Sequence, residues 1–107
     1  MSKTHNRLAL ITGGTRGIGR AIAKLLKSQG YTVVSNYFGN DHAALAFREK
    51  YDIPVYKWDV SDFKACVESI QTIESNHGPV DILVNNAGIT NDAMFHKMKP
   101  DQWSDVI

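Results

Sequence analysis

Gly13, Gly17 and Gly19 fall in the segment Thr12-Gly13-Gly14-Thr15-Arg16-Gly17-Ile18-Gly19. Ahead of it stands the apolar run Leu8-Ala9-Leu10-Ile11; behind it Ile18, Ala21, Ile22, Leu25 and Leu26 recur at spacings of three and four. A glycine cluster between a buried strand and an amphipathic helix is suited to holding phosphate, because free backbone N–H groups at the helix start face an anion that can come close. Gly13 would make the sharp turn, Gly17 would let the backbone approach a pyrophosphate, and Gly19 would let the helix pack closely on the strand. The alternative is a glycine-rich turn that binds nothing. A nucleoside-triphosphate loop framed on Gly14 and Gly19 is excluded, since Arg20-Ala21 stand where Lys and a Ser or Thr are required.

Charge at the next strand end bears on which dinucleotide would fit. NAD-binding folds of this kind usually place a carboxylate there for the ribose hydroxyls. Here the residues are Ser35-Asn36-Tyr37-Phe38, with no acid, while Arg16 in the glycine loop could meet a 2′-phosphate and Asn36 and Tyr37 lie at the adenosine end. The expected cofactor is NADP. A solvated loop arginine is the competing explanation for Arg16.

These residues need a scaffold, and the sequence supplies one. Strands are expected at Leu8–Ile11, Tyr31–Tyr37, Val55–Trp58 and Val80–Val84; helices at the segment ending before Gly30, at about Asp41–Lys50, and after Ser61-Asp62, with Phe63, Cys66, Val67, Ile70 and Ile73 on one face. Alternating strands and helices imply right-handed crossovers and parallel pairing, hence an α/β, Rossmann-type doubly wound sheet, truncated after the fourth strand. Pro100 suits the first turn of a further helix with Trp103, Val106 and Ile107 starting an apolar stripe. That stripe stops unfinished, so residues 1–107 are expected to be the amino-terminal, cofactor-binding part of one domain, with the outer edge of the fourth strand uncovered and prone to self-association.

Composition narrows the partners. Twelve basic and eleven acidic residues leave a net charge of +1, so no electrostatic footprint for nucleic acid or an anionic membrane is expected. Cys66 is the single cysteine, which suits a core thiol in a reducing compartment and excludes an internal disulfide. The four-residue apolar run after the first seven residues is too short for a leader or membrane span, and a cytoplasmic location is expected. His5, His42 and His77 receive no role.

The chain resembles the short-chain dehydrogenases/reductases along essentially its whole length. The glycine segment looks like that family's cofactor loop, which implies cofactor contacts for Gly13, Thr15, Arg16, Gly17, Ile18 and Gly19. Asp59, in Trp58-Asp59-Val60-Ser61-Asp62, matches the family's acid beside the adenine, implying contacts from Asp59 and Val60; helix capping is the alternative. Asn85-Asn86-Ala87-Gly88 matches the motif after the fourth strand, implying that Asn86, Ala87, Gly88 and Ile89 line the cofactor's ribose. Ile89-Thr90-Asn91-Asp92, with Phe95, Lys97 and Met98, resembles the branch that reduces 3-oxoacyl thioesters, acetoacetyl-CoA above all and acyl-carrier-protein thioesters close behind.

In that branch Asp92 would border the substrate, and His96 and Lys97 could face CoA phosphates, although exposed loop residues are the plainer reading. The resemblance implies NADPH-dependent reduction of the 3-oxo group, an acyl thioester as partner, and a homo-oligomer at full length. It also requires a catalytic asparagine, a serine, and a tyrosine with a lysine four residues on, none of which has a counterpart before Ile107. This chain alone is therefore expected to be inactive. A non-catalytic nucleotide-binding remnant is the alternative.

Overall fold

The computed structural model describes residues 7–86 and the backbone of residues 105–106. Four strands alternate with three helices: β1 (Leu8–Thr12), α1 (Gly17–Ser28), β2 (Thr32–Tyr37), α2 (Asp41–Tyr51), β3 (Val55–Lys57), α3 (Phe63–His77) and β4 (Val80–Asn85). A two-residue strand, β5 (Asp105–Val106), completes a sheet of order β3-β2-β1-β4-β5. Every pairing is parallel. The chain thus winds outward from β1 through β2 to β3, then crosses back to the other side of β1, which makes the β1/β4 boundary the point where the winding reverses.

Burial on both faces explains why β1 is apolar at four successive positions and fully buried. Its alternate side chains feed two separate cores. Ala9 and Ile11 join Val33, Ile82 and Val84 beneath Ala23 of α1 and Phe47 of α2. Leu8 and Leu10 join Val34, Val80 and Leu83 beneath Cys66, Ile70 and Ile73 of α3, with Trp58 and Val60 closing that side. One irregularity keeps this alternation in step: Leu8 pairs with Val80 but Ala9 with Ile82, so Asp81 is bulged out, and its carboxylate accepts the Leu8 N–H at 3.1 Å.

The buried stripes are narrower than the sequence pattern implies. On α1, Gly19 and Ala23 are buried, with Ile22 and Leu26 partly so, whereas Ile18 and Leu25 are 73% and 55% exposed. Gly19 sits against the Gly13 carbonyl, where a Cβ would not fit, while Ile22 and Leu26 pack against the core and Ile18 and Leu25 are turned aside. Phe63, at the first turn of α3, is likewise exposed.

The end of β4 differs from expectation too. Instead of a helical Val106 and a bare strand edge, Asp105 and Val106 pair with Ile82 and Leu83, satisfying part of the edge that sequence alone left open. Trp103 and Ile107 lie outside the described residues.

Capping fixes two of the helix starts. The Asn40 side chain accepts the Ala43 N–H at 3.0 Å from a left-handed backbone (φ 57°), and Asp62 accepts the Ala65 N–H at 3.1 Å. Asp62, not Asp59, is therefore the cap of α3. No described helix is long and apolar enough to cross a membrane. Replacing Asp62 with Ala is expected to lower stability by about 0.5–2 kcal/mol, measured by urea unfolding, while the same change at the exposed Glu68, in the interior of α3, leaves it within about 0.5 kcal/mol.

Candidate functional site

At the carboxyl ends of β1, β2 and β4 the glycine loop is tied down by side chains from both flanking strands. Gly13 has φ 63°, a left-handed turn that glycine adopts without strain. Its N–H donates to Asn36 Oδ1 at 3.1 Å, and its carbonyl accepts from Asn86 Nδ2 at 3.3 Å. The Asn36 amide also donates to the Trp58 carbonyl at 2.9 Å, linking β1, β2 and the end of β3 through one side chain that is 2% exposed. On the other flank, Thr12 Oγ1 accepts the Asn86 N–H at 2.9 Å and donates toward Asn85 Oδ1 at 3.2 Å.

The next glycines work through space. A Cβ on Gly19 would overlap the Gly13 carbonyl and come within 2.5 Å of Asn86 Nδ2, so the first turn of α1 can sit against the loop only as glycine. A Cβ on Gly14 would lie 2.5 Å from Ser35 Oγ. Gly17 differs: its φ is 56° and nothing stands within 4 Å of where a Cβ would be. Gly19 is thus a packing residue, and Gly17 a backbone position left open to the outside.

Helix α1 also differs from the other two at its start. Arg16 occupies the N-cap position without a side-chain cap bond, and no acidic residue lies in the first turn. That uncapped start adjoins Gly17, whose backbone is open. The groove beside it, about 350 Å³, is lined by Gly13, Thr15, Arg16, Gly17, Tyr37 and Asn86, with Phe38 and Gly39 at the rim. A second cleft of about 260 Å³ continues past Tyr37 and Phe38 to Trp58, Asp59 and Val60.

Of the site residues expected from sequence, Gly13, Thr15, Arg16, Gly17, Tyr37 and Asn86 line the groove, and Asn36, Asp59 and Val60 line the adjoining cleft; Gly19 lines neither. Asn36 lines the second cleft, but its amide is occupied in bracing the loop; Tyr37 is shared by both spaces. Asp59 faces the second cleft, where Oδ1 accepts both the Ser61 N–H (2.9 Å) and the Ser61 hydroxyl (2.7 Å). Those bonds, the hydroxyl's first, hold its carboxyl below the ordinary value, so it is an anion at neutral pH. Ile18, 73% exposed, stands beside the groove mouth without being part of its lining. Ala87, Gly88, Ile89 and Asp92 lie outside the described residues, as do His5, His96 and Lys97.

Sequence reasoning gave no separate role to Phe38, a 60% exposed aromatic common to both clefts, or to the Thr12 hydroxyl. An exposed aromatic directly after a strand was the available signal for Phe38; the Thr12 role depends on a residue 74 positions away and had none. His77 accepts or donates a 2.8 Å bond with the Tyr56 hydroxyl, away from the groove. Among the described residues, no group of His, Cys, Asp and Glu could hold a metal ion.

The sequence profile of the short chain dehydrogenase family matches residues 7–107. The chain is 63% identical over 102 residues to an acetoacetyl-CoA reductase of Rhizobium meliloti (strain 1021), covering 95% of this chain and 42% of that protein. It is 59% identical to an acetoacetyl-CoA reductase of Paracoccus denitrificans, with 94% and 42% covered. A 3-oxoacyl-[acyl-carrier-protein] reductase of Vibrio harveyi is 39% identical, with 96% and 43% covered. Among solved structures, a short-chain dehydrogenase/reductase from Serratia marcescens BCRC 10948 superposes with a TM-score of 0.75 at 33% identity, over 82% of this chain and 38% of that one. The chain spans less than half the length of these relatives.

Two outcomes test the geometry. Asn36→Ala removes the partners of the Gly13 N–H and the Trp58 carbonyl and is expected to cost about 1–3 kcal/mol of stability, measured by denaturant unfolding. For Asp59, the depressed pKa means that its stabilising contribution is complete above the unfolded-state carboxylate range and is lost as pH falls through the lower folded value. Carboxyl carbon NMR should show Asp59 titrating below the ordinary range, and Ser61→Ala should move it upward.

Proposed function

The chain belongs to the short-chain dehydrogenase family, and from that premise we propose that residues 1–107 bind NADP(H) as the cofactor-holding part of a 3-oxoacyl thioester reductase, with acetoacetyl-CoA as substrate. The observation that carries this reading is the uncapped start of α1 beside the open backbone of Gly17, at the point where the sheet's winding reverses. The other two helices are capped by side chains; this one is left for an anion.

In the proposed arrangement the leading N–H groups of α1 and the Thr15–Gly17 backbone hold the pyrophosphate. Arg16 meets the 2′-phosphate from its exposed position on the groove wall, and no carboxylate among Ser35, Asn36, Tyr37 and Phe38 opposes it. Tyr37 and Phe38 flank the adenosine, with Asp59 and Val60 on its far side. Asn86, followed by Ala87, Gly88 and Ile89, faces the nicotinamide ribose, and Asp92 borders the substrate.

Reduced nicotinamide, when bound, supplies the hydride for the 3-oxo carbon. What this chain contributes is binding and orientation, since nothing in residues 1–107 matches the family's proton-donating tyrosine and its lysine. The proposal extends to a cytoplasmic protein that acts as a homo-oligomer. The higher identity to acetoacetyl-CoA reductases than to the acyl-carrier-protein enzyme favours the CoA thioester.

Calorimetric titration separates the possibilities. NADP should bind more tightly than NAD, and Arg16→Ala should weaken NADP about tenfold or more while leaving NAD nearly unchanged, as for loss of a hydrogen bond to a charged group. Equal affinity for the two, or an Arg16→Ala variant that keeps its preference, would contradict the assignment. Should neither dinucleotide bind the folded chain, the groove would have to serve some other ligand.

A further inference from the structure

Next to the dinucleotide groove, and sharing Thr15, Arg16 and Gly17 with it, a cleft of about 400 Å³ opens between α1 and α2. Its wall carries Arg16, Arg20 and Lys50, and its floor is Phe47 and Tyr51. Lys24 stands over the Tyr51 ring with Nζ 4.8 Å from the centroid, and Lys50 over the same ring at 5.5 Å. Among the described residues no carboxylate lies within ion-pair reach of these four cations. The neighbouring acid Asp52 is paired instead with Lys27, which also caps the end of α2 through the Tyr51 and Asp52 carbonyls.

This arrangement concentrates positive charge. Arg20 and Lys24 are four residues apart on α1, a like-charge pair on one helix face, and Arg16 and Arg20 lie at the helix start, where the backbone dipole disfavours cations. The two ammonium groups sharing one ring repel each other. Tyr51 reports the resulting field: burial pushes its phenol up, yet Lys24, Lys50 and Arg20 outweigh that and leave it below its ordinary value. An anion seated among these groups would relieve the repulsion.

We propose that the α1–α2 cleft is a second anion site, adjoining the dinucleotide groove through Arg16 but separate from it, and that its ligand is a compact multivalent phosphate. Size and charge set the ligand class: the cations come from two helices around an aromatic floor, so a diphosphate or phosphomonoester bridges them where a single chloride does not. The site shares Thr15, Arg16 and Gly17 with the groove, and everything it takes from α2 is its own.

The test uses pyrophosphate as probe, added to the isotope-labelled chain with sodium chloride at matched ionic strength as control. Amide NMR should show saturable shifts at Ala43, Ala46 and Tyr51, and Arg20→Gln and Lys50→Gln should each weaken that binding about two- to fivefold, the scale of one exposed ion pair. Pyrophosphate should also raise the pH at which Tyr51 ionises, followed by phenolate absorbance against a Tyr51→Phe blank, a readout that needs no change in the cleft's cations. The α2 shifts should persist when NADP is present at saturation. If NADP but not NAD abolishes them, the cleft is an extension of the dinucleotide groove and the proposal fails. It fails equally if chloride reproduces the shifts, or if neither the α2 amides nor Tyr51 responds. Absence of NADP binding would count against the proposed function while leaving the pyrophosphate result to decide the cleft.

Discussion

Everything at the strand ends depends on one residue held from both sides. Gly13 gives its N–H to Asn36 on β2 and its carbonyl to Asn86 after β4, so the turn out of β1 is gripped by its two neighbours in the sheet. These are long-range bonds between groups that would otherwise compete for water, and Asn36 makes its contribution from a buried position where an unpaired amide is costly. With the Gly13 carbonyl fixed, α1 can begin only if the residue facing it has no side chain, which is the place Gly19 fills. The backbone of the loop is therefore held by contacts within the protein.

Much of this organisation was legible because it rests on short-range pattern. Leu8-Ala9-Leu10-Ile11 is apolar without alternation because β1 is covered on both faces, and its neighbours β2 and β4 are likewise buried over most of their length. The packing role of Gly19 and the exposed backbone at Gly17 follow from their spacing after a strand. Asp59 and Val60 were placed by resemblance, and the structure sets both along the cleft beyond Tyr37.

What escaped the sequence depends on distance in three dimensions. Ile18 and Leu25 fit the periodicity of a buried face, yet the face of α1 that meets the core is made of Gly19, Ile22, Ala23 and Leu26, and Ile18 and Leu25 stand exposed. Asn36 is a polar residue near a strand end, suited by type to hold a ligand; only the fold shows that its amide is spent on Gly13 and Trp58. Val106 has the apolar spacing of a helix stripe, but an open strand edge at Ile82 and Leu83 pairs with it instead. In each case a local preference yields to a tertiary contact that no window of sequence contains.

The cations around the glycine loop have opposite relations to the fold. Lys27 binds the Tyr51 and Asp52 carbonyls at the end of α2, whereas Arg16 and Arg20 stand at the start of α1, where the helix dipole disfavours cations. Positive charge at the uncapped start of α1, beside the groove, favours anionic ligands. The central claim, that the turn between β1 and α1 holds a dinucleotide pyrophosphate, is tested most directly by mapping amide shifts on titration with NADPH. The largest shifts are expected at Thr15, Arg16, Gly17 and Ile18, with smaller ones at Tyr37 and Asn86. Saturable binding that leaves those amides unmoved and shifts residues elsewhere would contradict it.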